Sequence, residues 1–344
     1  MNTTPLALLL AAACADAPLD SGLAAPPATA HWMADVFADR AEIEVGRVLL
    51  PGAFNASSYA CAVEHGMSPD APEAVRAIWG DDPGDADNRA RVVGWARTQD
   101  RPLGEQLLDG VRFVEINVTL KDGVVTTWHS VYGVPVGEVL DELVDFLVAW
   151  PDEVVVLTFG VSLDAEDWGL LADALAAPRA GGVTVCDRVY DGPEPAAQVS
   201  LAATQAAGRN LIWAPQGELR GFFEARGDCA LTAGETDRVW SITATPDGVE
   251  AAIAASVDGR DPQRLLINDF VFSLDGASSV LDQARYIAAY PGVREASAAL
   301  GFSGDLPSRL IDTYDVHQDM NVLAGAYYPD TTLIEAAIAA NEAR

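Results

Sequence analysis

Short apolar runs alternate with amphipathic patterns along most of the chain. Several of the runs are nearly continuous in Val, Ile and Leu, as is typical of parallel strands buried on both faces. Strands are predicted at Gly46–Leu50, Arg112–Val118, Val124–His129, Glu153–Phe159, Gly182–Val185, Arg209–Ala214, Val239–Thr243 and Leu265–Phe270. Between them, helical periodicity predicts helices at Val136–Ala149, Asp164–Ala176, Pro246–Ala255 and Ala277–Ala289.

This alternation of about eight strands with helices predicts an α/β fold of the TIM (β/α)8-barrel type over residues 31–344. A doubly wound parallel sheet is the alternative, because periodicity alone does not separate the two. A chain of 344 residues, half of them apolar, is long enough for one such domain. The sequence shows no internal repeat and no linker to a second domain.

The first 30 residues read as a targeting segment and a tether. Leu6–Ala13 is apolar but too short to cross a bilayer, and Cys14 follows it, which resembles a bacterial lipoprotein signal. No Lys or Arg precedes the run, and Ala11 stands where leucine is more usual. We expect residues 1–14 to be the signal, residues 15–30 a flexible tether, and the protein an exported cell-envelope lipoprotein, anchored to the membrane through Cys14, or a secreted protein.

Charge and cysteine content narrow the partners and the compartment. The formal net charge is −30, with 51 acidic and 21 basic residues, and Lys121 is the only lysine. Such a field repels nucleic acid, so we expect no nucleic-acid partner, and we expect a monomer. Besides Cys14, the chain holds Cys61, Cys186 and Cys229. The alternatives are a Cys186–Cys229 disulfide, suited to an exported protein, and three buried free thiols.

Polar side chains stand at the ends of predicted strands, where barrel enzymes carry their chemistry. Glu115 and Asn117 are two residues apart, so both face the same side of the second strand. They face inward if their apolar neighbours face outward, and a buried carboxylate needs a partner such as a cation or a charged substrate. His129 ends the third strand, and Asp269 lies in the last one. Arg112 is expected on the outer face of the barrel.

Several motifs together resemble the X domain of phosphatidylinositol-specific phospholipase C. They are HWMAD (His31–Asp35), LLPGAFNASSY (Leu49–Tyr59), WARTQ (Trp95–Gln99), EQLLDGVR (Glu105–Arg112), WHSVYGVPV (Trp128–Val136) and WPDEVVVL (Trp150–Leu157). The resemblance covers residues 32–160 well and is vague afterwards. It implies a distorted TIM barrel that cleaves a phosphodiester, with a phospholipid or phosphodiester headgroup as its partner.

In that family two histidines act on opposite sides of one phosphate, one as general base and one as general acid, a task for which imidazole is suited. The resemblance places His129 on the general acid and Asp269 on the carboxylate that orients the base. Phe54 falls on the general base itself, and phenylalanine accepts no proton. A fourth-strand charged group would be expected where Gly160 stands.

The resemblance also implies candidate ligands. Asn55, Glu115 and Asn117 fall on positions that bind calcium in the calcium-dependent branch, so Ca²⁺ is the candidate cofactor. Asn117 also replaces the arginine that binds phosphate in metal-independent members. Asn55 and Gly52 are candidate substrate-binding residues, although a backbone turn also explains Gly52.

The loss of the base leaves three functional hypotheses. The first is a phosphoric diester hydrolase with weak or no activity, in which His65 or His317 is a candidate substitute for the base. The second is a non-catalytic exported lipoprotein that binds a phosphorylated or polyol ligand. The third is an enzyme similar to glycerophosphodiester phosphodiesterases, because Glu115, Asn117, Lys121–Gly123 and His129 follow the order of that family's metal pair, KDG turn and histidine. Nucleotide-binding, serine-hydrolase and dinucleotide-binding fingerprints are absent from the sequence.

Overall fold

The computed structural model describes residues 27–80, 84–240, 243–273, 280–314 and 320–343. The predicted signal segment 1–14 with Cys14, most of the predicted tether and His317 lie outside these residues. Among the described helices, none is long and apolar enough to cross a membrane.

The described residues form one sheet of nine strands. Their bounds are β1 (Leu50–Ala53), β2 (Phe113–Lys121), β3 (Val124–His129), β4 (Val131–Pro135), β5 (Val155–Ser162), β6 (Leu211–Trp213), β7 (Thr236–Trp240), β8 (Leu265–Phe270) and β9 (Val322–Gly325). Seven of them pair in parallel in the order β7-β8-β9-β1-β2-β5-β6. The sheet does not close between β6 and β7 in the described part, so the fold is a distorted and open TIM barrel, as predicted.

Helices surround the parallel strands. Their bounds are α1 (Trp32–Val36), α2 (Glu73–Trp79), α3 (Ala86–Ala96), α4 (Leu103–Leu108), α5 (Val136–Ala149), α6 (Trp168–Ala176), α7 (Leu201–Ala207), α8 (Gly217–Arg226), α9 (Pro246–Asp258), α10 (Val280–Ala289), α11 (Val293–Leu300), α12 (Leu306–Thr313) and α13 (Leu333–Glu342). The predicted helix at Val136–Ala149 matches α5 at both ends.

Alternation along the strands separates two apolar layers. On β2, Phe113 packs with residues of the barrel interior such as Ile267 and Val322. Its neighbours Val114 and Ile116 instead join the layer formed with the buried stripe of α5. Since successive side chains face opposite sides of a strand, Glu115 and Asn117 share the inner side with Phe113, as the sequence predicted.

Several strand predictions need correction. β1 begins at Leu50, so the predicted strand at Gly46–Leu50 is displaced by four residues. Residues 182–185 form no strand and lie between 3-10 turns. The hairpin strand β4 and the small-residue strand β9 were not predicted. β3 is not a barrel strand, because it runs antiparallel to β2 and forms a hairpin with β4.

Gly52 lies inside β1, where the lack of a side chain permits close packing. A Cβ atom at this position would lie 2.8 Å from Phe113 Cδ1 and 2.9 Å from the Cβ of Ala324. These residues belong to the neighbouring strands β2 and β9. The glycine is therefore explained by packing in the barrel interior and not by a turn.

The cysteines follow the first of the two predicted arrangements. Cys186 and Cys229, 43 positions apart in sequence, form a disulfide, and Cys61 is a buried free thiol. The bridge joins the turn after α6 to the segment after α8. By restricting the unfolded chain, such a crosslink stabilises the fold.

A buried ion pair joins three segments at the end of the barrel opposite to the strands' C-terminal ends. The guanidinium of Arg112 contacts Oε2 of Glu153 at 2.8 and 2.5 Å, and both side chains are buried. Glu153 Oε1 also accepts the Ala34 N–H of α1 at 2.8 Å. Arg112 Nη1 donates to the carbonyls of Leu107 and Val111, and Nη2 donates also to that of Ala30, each at 2.8 Å. Arg112 lies on the outer side of the barrel, as predicted, against the Phe146 ring of α5, and there both charges are desolvated and fully bonded.

The variant Glu153→Gln is expected to lose about 3–5 kcal/mol of unfolding free energy, because it leaves the Arg112 charge buried without its counterion. Urea denaturation followed by circular dichroism measures this loss. The matched control is Glu44→Gln, which removes the exposed Glu44–Arg47 pair and is expected to cost less than about 1 kcal/mol. Equal effects of the two substitutions would contradict the structural role of the buried pair.

Candidate active site at the barrel mouth

The end of β1 is held in place by the WARTQ segment. The Phe54 carbonyl accepts hydrogen bonds from Thr98 Oγ1 and Gln99 Nε2, both at 3.0 Å. Gln99 Nε2 also donates to the Gly325 carbonyl at 2.8 Å, which ties β1 to β9. Because these hydrogen bonds hold the backbone at the end of β1, the side chain at position 54 has a fixed place in the mouth.

Phe54 fills the space that the resemblance assigned to a general base. Its ring is nearly buried and meets the ring of His129 edge-on, with 6.3 Å between the centroids. The residue that replaces the base therefore faces the predicted acid directly. Trp240 lies on another side of Phe54, with 6.2 Å between their centroids.

His129 reaches the mouth from the β3–β4 hairpin. β2 extends beyond its parallel neighbours to Lys121, and β3 returns antiparallel with Thr127 opposite Val118. The two residues that follow Thr127 therefore continue toward the level of Asn117 and Ile116. The His129 Nδ1 atom lies 2.6 Å from the Ala96 carbonyl oxygen. Since a carbonyl only accepts, Nδ1 carries a proton.

An arginine joins the two inward carboxylates of the mouth. Arg238 on β7 donates to Asp269 on β8 through Nε at 2.8 Å and Nη2 at 3.2 Å. It also forms an ion pair with Oε1 of Glu115 on β2. Its guanidinium carbon lies 5.7 Å from the Phe54 ring centroid and 5.9 Å from that of Trp240. Arg238 thus spans the mouth, with the aromatic rings beside it.

The ionic cluster of Glu115, Arg238 and Asp269 has two acids and one base. Asp269 is fully buried, and the pKa of its carboxyl is raised to about 6, mainly by that burial. The Arg238 guanidinium acts in the opposite direction and lowers this pKa, while the negative charge of Glu115 raises it. The cluster is therefore formally anionic with both acids ionised and neutral once Asp269 takes up a proton. In neither state does Arg238 offer unbalanced positive charge to a phosphate.

Sequence reasoning missed Arg238 and Trp240. The strand was predicted at Val239–Thr243, whereas β7 covers Thr236–Trp240. The period-two spacing of Thr236, Arg238 and Trp240 is the pattern from which their common orientation could have been derived.

The three predicted calcium ligands differ in their surroundings. Asn55 has a left-handed backbone (φ 48°), and its buried side-chain atoms have no hydrogen-bond partner among the described residues. The second oxygen of Glu115, Oε2, accepts the Asn55 N–H at 3.1 Å. Asn117 lies opposite Gly160 on β5, and a Cβ at Gly160 would lie 1.9 Å from the Asn117 amide oxygen. The charged group expected at position 160 is thus replaced by the Asn117 amide.

This arrangement does not fit a calcium ion. The unpartnered amide of Asn55 is the one feature that favours a bound cation. Both oxygens of Glu115 are already engaged, one by a guanidinium that supplies the positive charge a cation would bring. Within the described ranges, no group of three or more His, Cys, Asp or Glu side chains is placed to hold a metal.

Of the two candidate substitutes for the base, the structure describes His65, and it is not brought to Phe54. His65 lies in the 3-10 turn Val63–His65, and its Nδ1 is 3.1 Å from the Ala60 carbonyl oxygen of the same loop. It is not among the residues that line the cavity beside His129. His317 is outside the described residues.

Comparison with known proteins gives partial sequence matches. No protein-family model matches the chain. It is 26% identical over 155 residues to PI-PLC X domain-containing protein 2 of Mus musculus, which covers 42% of this chain and 43% of that protein. The Homo sapiens protein of the same name is 24% identical over 155 residues, covering 42% and 48%. The chain thus matches less than half the length of these relatives.

Solved structures share the whole fold. Phosphatidylinositol-specific phospholipase C from Listeria monocytogenes matches with a TM-score of 0.59 at 13% identity, covering 91% of this chain and 98% of that one. The enzyme from Staphylococcus aureus with incorporated pentafluoro-Phe matches with a TM-score of 0.57 at 14% identity, covering 92% and 98%. The sequence matches agree with the resemblance found in the motifs, and the solved structures share the barrel fold: the chain is similar to PI-PLC X domain proteins.

Proposed function

We propose that this protein is a barrel of phosphodiesterase lineage that no longer cleaves phosphodiesters by two-histidine catalysis and instead binds a ligand at its mouth. The observation that carries the proposal is the place of Phe54, edge-on to the predicted acid His129. Each general acid–base step contributes roughly 10²–10⁴-fold to a rate, so the loss of the base removes most of the catalytic advantage.

The ionic cluster supports the same proposal. In the enzyme family that the chain resembles, Asp269 would orient the base and a cation would bind the phosphate. Here Asp269 is held by Arg238, and Arg238 is neutralised by Asp269 and Glu115. An incoming phosphate would have to displace a carboxylate that is already paired and buried. The hydrolase and glycerophosphodiesterase alternatives are less well supported for this reason, and a phospholipid or phosphodiester headgroup is a weaker candidate ligand than an uncharged one.

Wild-type protein is expected to show no His129-dependent turnover of phosphatidylinositol or glycerophosphodiesters. Phe54→His alone is expected to restore little, because Asp269 remains paired with Arg238 and is not available to orient the new imidazole. Release of inositol phosphate and of glycerol phosphate measures both. His129→Ala is the test variant. His65→Ala is its matched control, because His65 does not line the cavity beside Phe54. Wild-type turnover that His129→Ala abolishes and His65→Ala leaves intact would refute the proposal.

Calcium is expected to leave the thermal midpoint of the wild-type protein unchanged relative to chelator, because both oxygens of Glu115 are engaged. Differential scanning fluorimetry with added Ca²⁺ or EDTA gives the comparison. Arg238→Ala removes the counterion of both carboxylates, and in this variant Ca²⁺ is expected to raise the thermal midpoint. A calcium-dependent rise in the wild-type midpoint that disappears in Glu115→Gln would instead establish the predicted metal site.

Export and lipidation complete the proposed function. The Cys186–Cys229 disulfide supports an oxidising compartment, in keeping with the signal-like residues 1–14. If Cys14 carries the anchor, Cys14→Ser is expected to abolish incorporation of labelled palmitate and to move the protein from the membrane fraction to the soluble one. Cys61→Ser is the control, because Cys61 is buried within the fold. Labelling that persists in Cys14→Ser would contradict the predicted anchor.

A further inference from the structure

A cavity of about 320 Å³ lies beside the ionic cluster at the barrel mouth. Four aromatic side chains line it: Phe54, Trp95, Trp240 and Phe272. Aliphatic side chains of surrounding helices complete the lining, including Val75 of α2 and Ile287 of α10. None of the described residues that line the cavity is Asp, Glu, Lys or Arg.

Polar atoms along these walls are in part already committed to the protein. Thr98 Oγ1 donates to the Phe54 carbonyl, and His129 Nδ1 donates to that of Ala96. The indole N–H of Trp95 donates to the Tyr290 carbonyl at 3.3 Å. What these side chains present to the cavity is therefore largely carbon.

Electrostatics disfavours charged occupants. The Phe54 and Trp240 rings line the cavity and contact Arg238, which itself does not line it. An anion would be desolvated beside a guanidinium that two carboxylates already neutralise. A second cation would meet rings that already interact with Arg238. An uncharged ligand avoids both penalties.

Size and wall chemistry limit the ligand further. Small-molecule sites occupy about 300–1,000 Å³, and a dry cavity of about 150 Å³ holds one benzene ring. The present cavity therefore suits on the order of two fused or linked rings. Aromatic walls favour rings over flexible chains, because stacked and edge-on contacts add to the burial of area. Trp240, with 51% of its surface exposed, gives the ligand an aromatic contact that is open to solvent.

We propose that this cavity binds an uncharged apolar molecule with two aromatic or fused rings. The proposal uses the same mouth but does not rest on the loss of catalysis, because it follows from the walls of the cavity and not from Phe54 as a missing base. Turnover of a phosphodiester would refute the proposed function and leave the cavity proposal unchanged.

The test compares two fluorescent probes that share the two-ring dimethylaminonaphthalene skeleton. N,N-Dimethyl-1-naphthylamine is uncharged, and 5-(dimethylamino)naphthalene-1-sulfonate adds one sulfonate. The neutral probe is expected to bind the full protein saturably. The sulfonate is expected to bind at least about tenfold more weakly, because its charge would be desolvated. Equal or tighter binding of the sulfonate would overturn the proposal, as would the lack of saturable binding of the neutral probe.

A matched pair of variants locates the probe. Val75→Trp puts bulk into the cavity from a half-buried position of α2, and it is expected to weaken neutral-probe binding by about tenfold or more. Val148→Trp makes the same change at an exposed position of α5 outside the cavity, and no change is expected. Equal effects would overturn the assignment. Should Val75→Trp not fold, methyl NMR of wild-type protein decides instead: probe-induced shifts must include Ile78 and Ile287 and spare Val148.

Competition decides between rings and chains. Naphthalene is expected to displace the neutral probe at lower concentration than 1-dodecanol. The reverse order would overturn the ring assignment in favour of a hydrocarbon chain.

Discussion

The neutralisation of two buried carboxylates by one arginine determines the chemistry of this barrel mouth. Glu115 on β2 and Asp269 on β8 both point into the barrel, where ionised groups are stable only with a counterion. Arg238 supplies that counterion from β7, and by doing so it joins three strands that are not all neighbours in the sheet. The engaged Oε1 of Glu115 and the held Asp269 follow from this, and the rings of Phe54 and Trp240 lie beside the guanidinium.

The positions of Phe54 and Trp240 are consistent with that constraint. A guanidinium that is balanced by acids still needs a weakly polar covering, and aromatic faces provide it. The same rings form one side of the apolar cavity beside His129. In the sequence, Phe54 looks only like the loss of a general base. In the structure it lies between an ionic cluster and an apolar cavity and contacts both.

Periodicity was sufficient for the barrel and for β2, β3, β8 and α5, because these elements are long or strongly apolar. It missed β9 and misplaced β1, because the small residues of β9 and the Pro51–Gly52 pair of β1 give little hydrophobic contrast. It also predicted a strand at residues 182–185, where the chain forms turns. At the site, the sequence brought Glu115, Asp269 and His129 to one end of the barrel correctly. Arg238 was missed because its contacts join β7 to β2 across 123 positions, a separation that no local pattern reports.

The two ion clusters lie at opposite ends of the barrel, and this separation has a consequence for stability. Arg112 and Glu153 bind α1, the α4–β2 turn and the α5–β5 turn together far from the mouth. Because interactions at well-separated sites are close to additive, mutations at the mouth leave that contribution untouched. The scaffold can therefore tolerate substitutions at the mouth of the barrel without loss of the stability that the opposite end supplies.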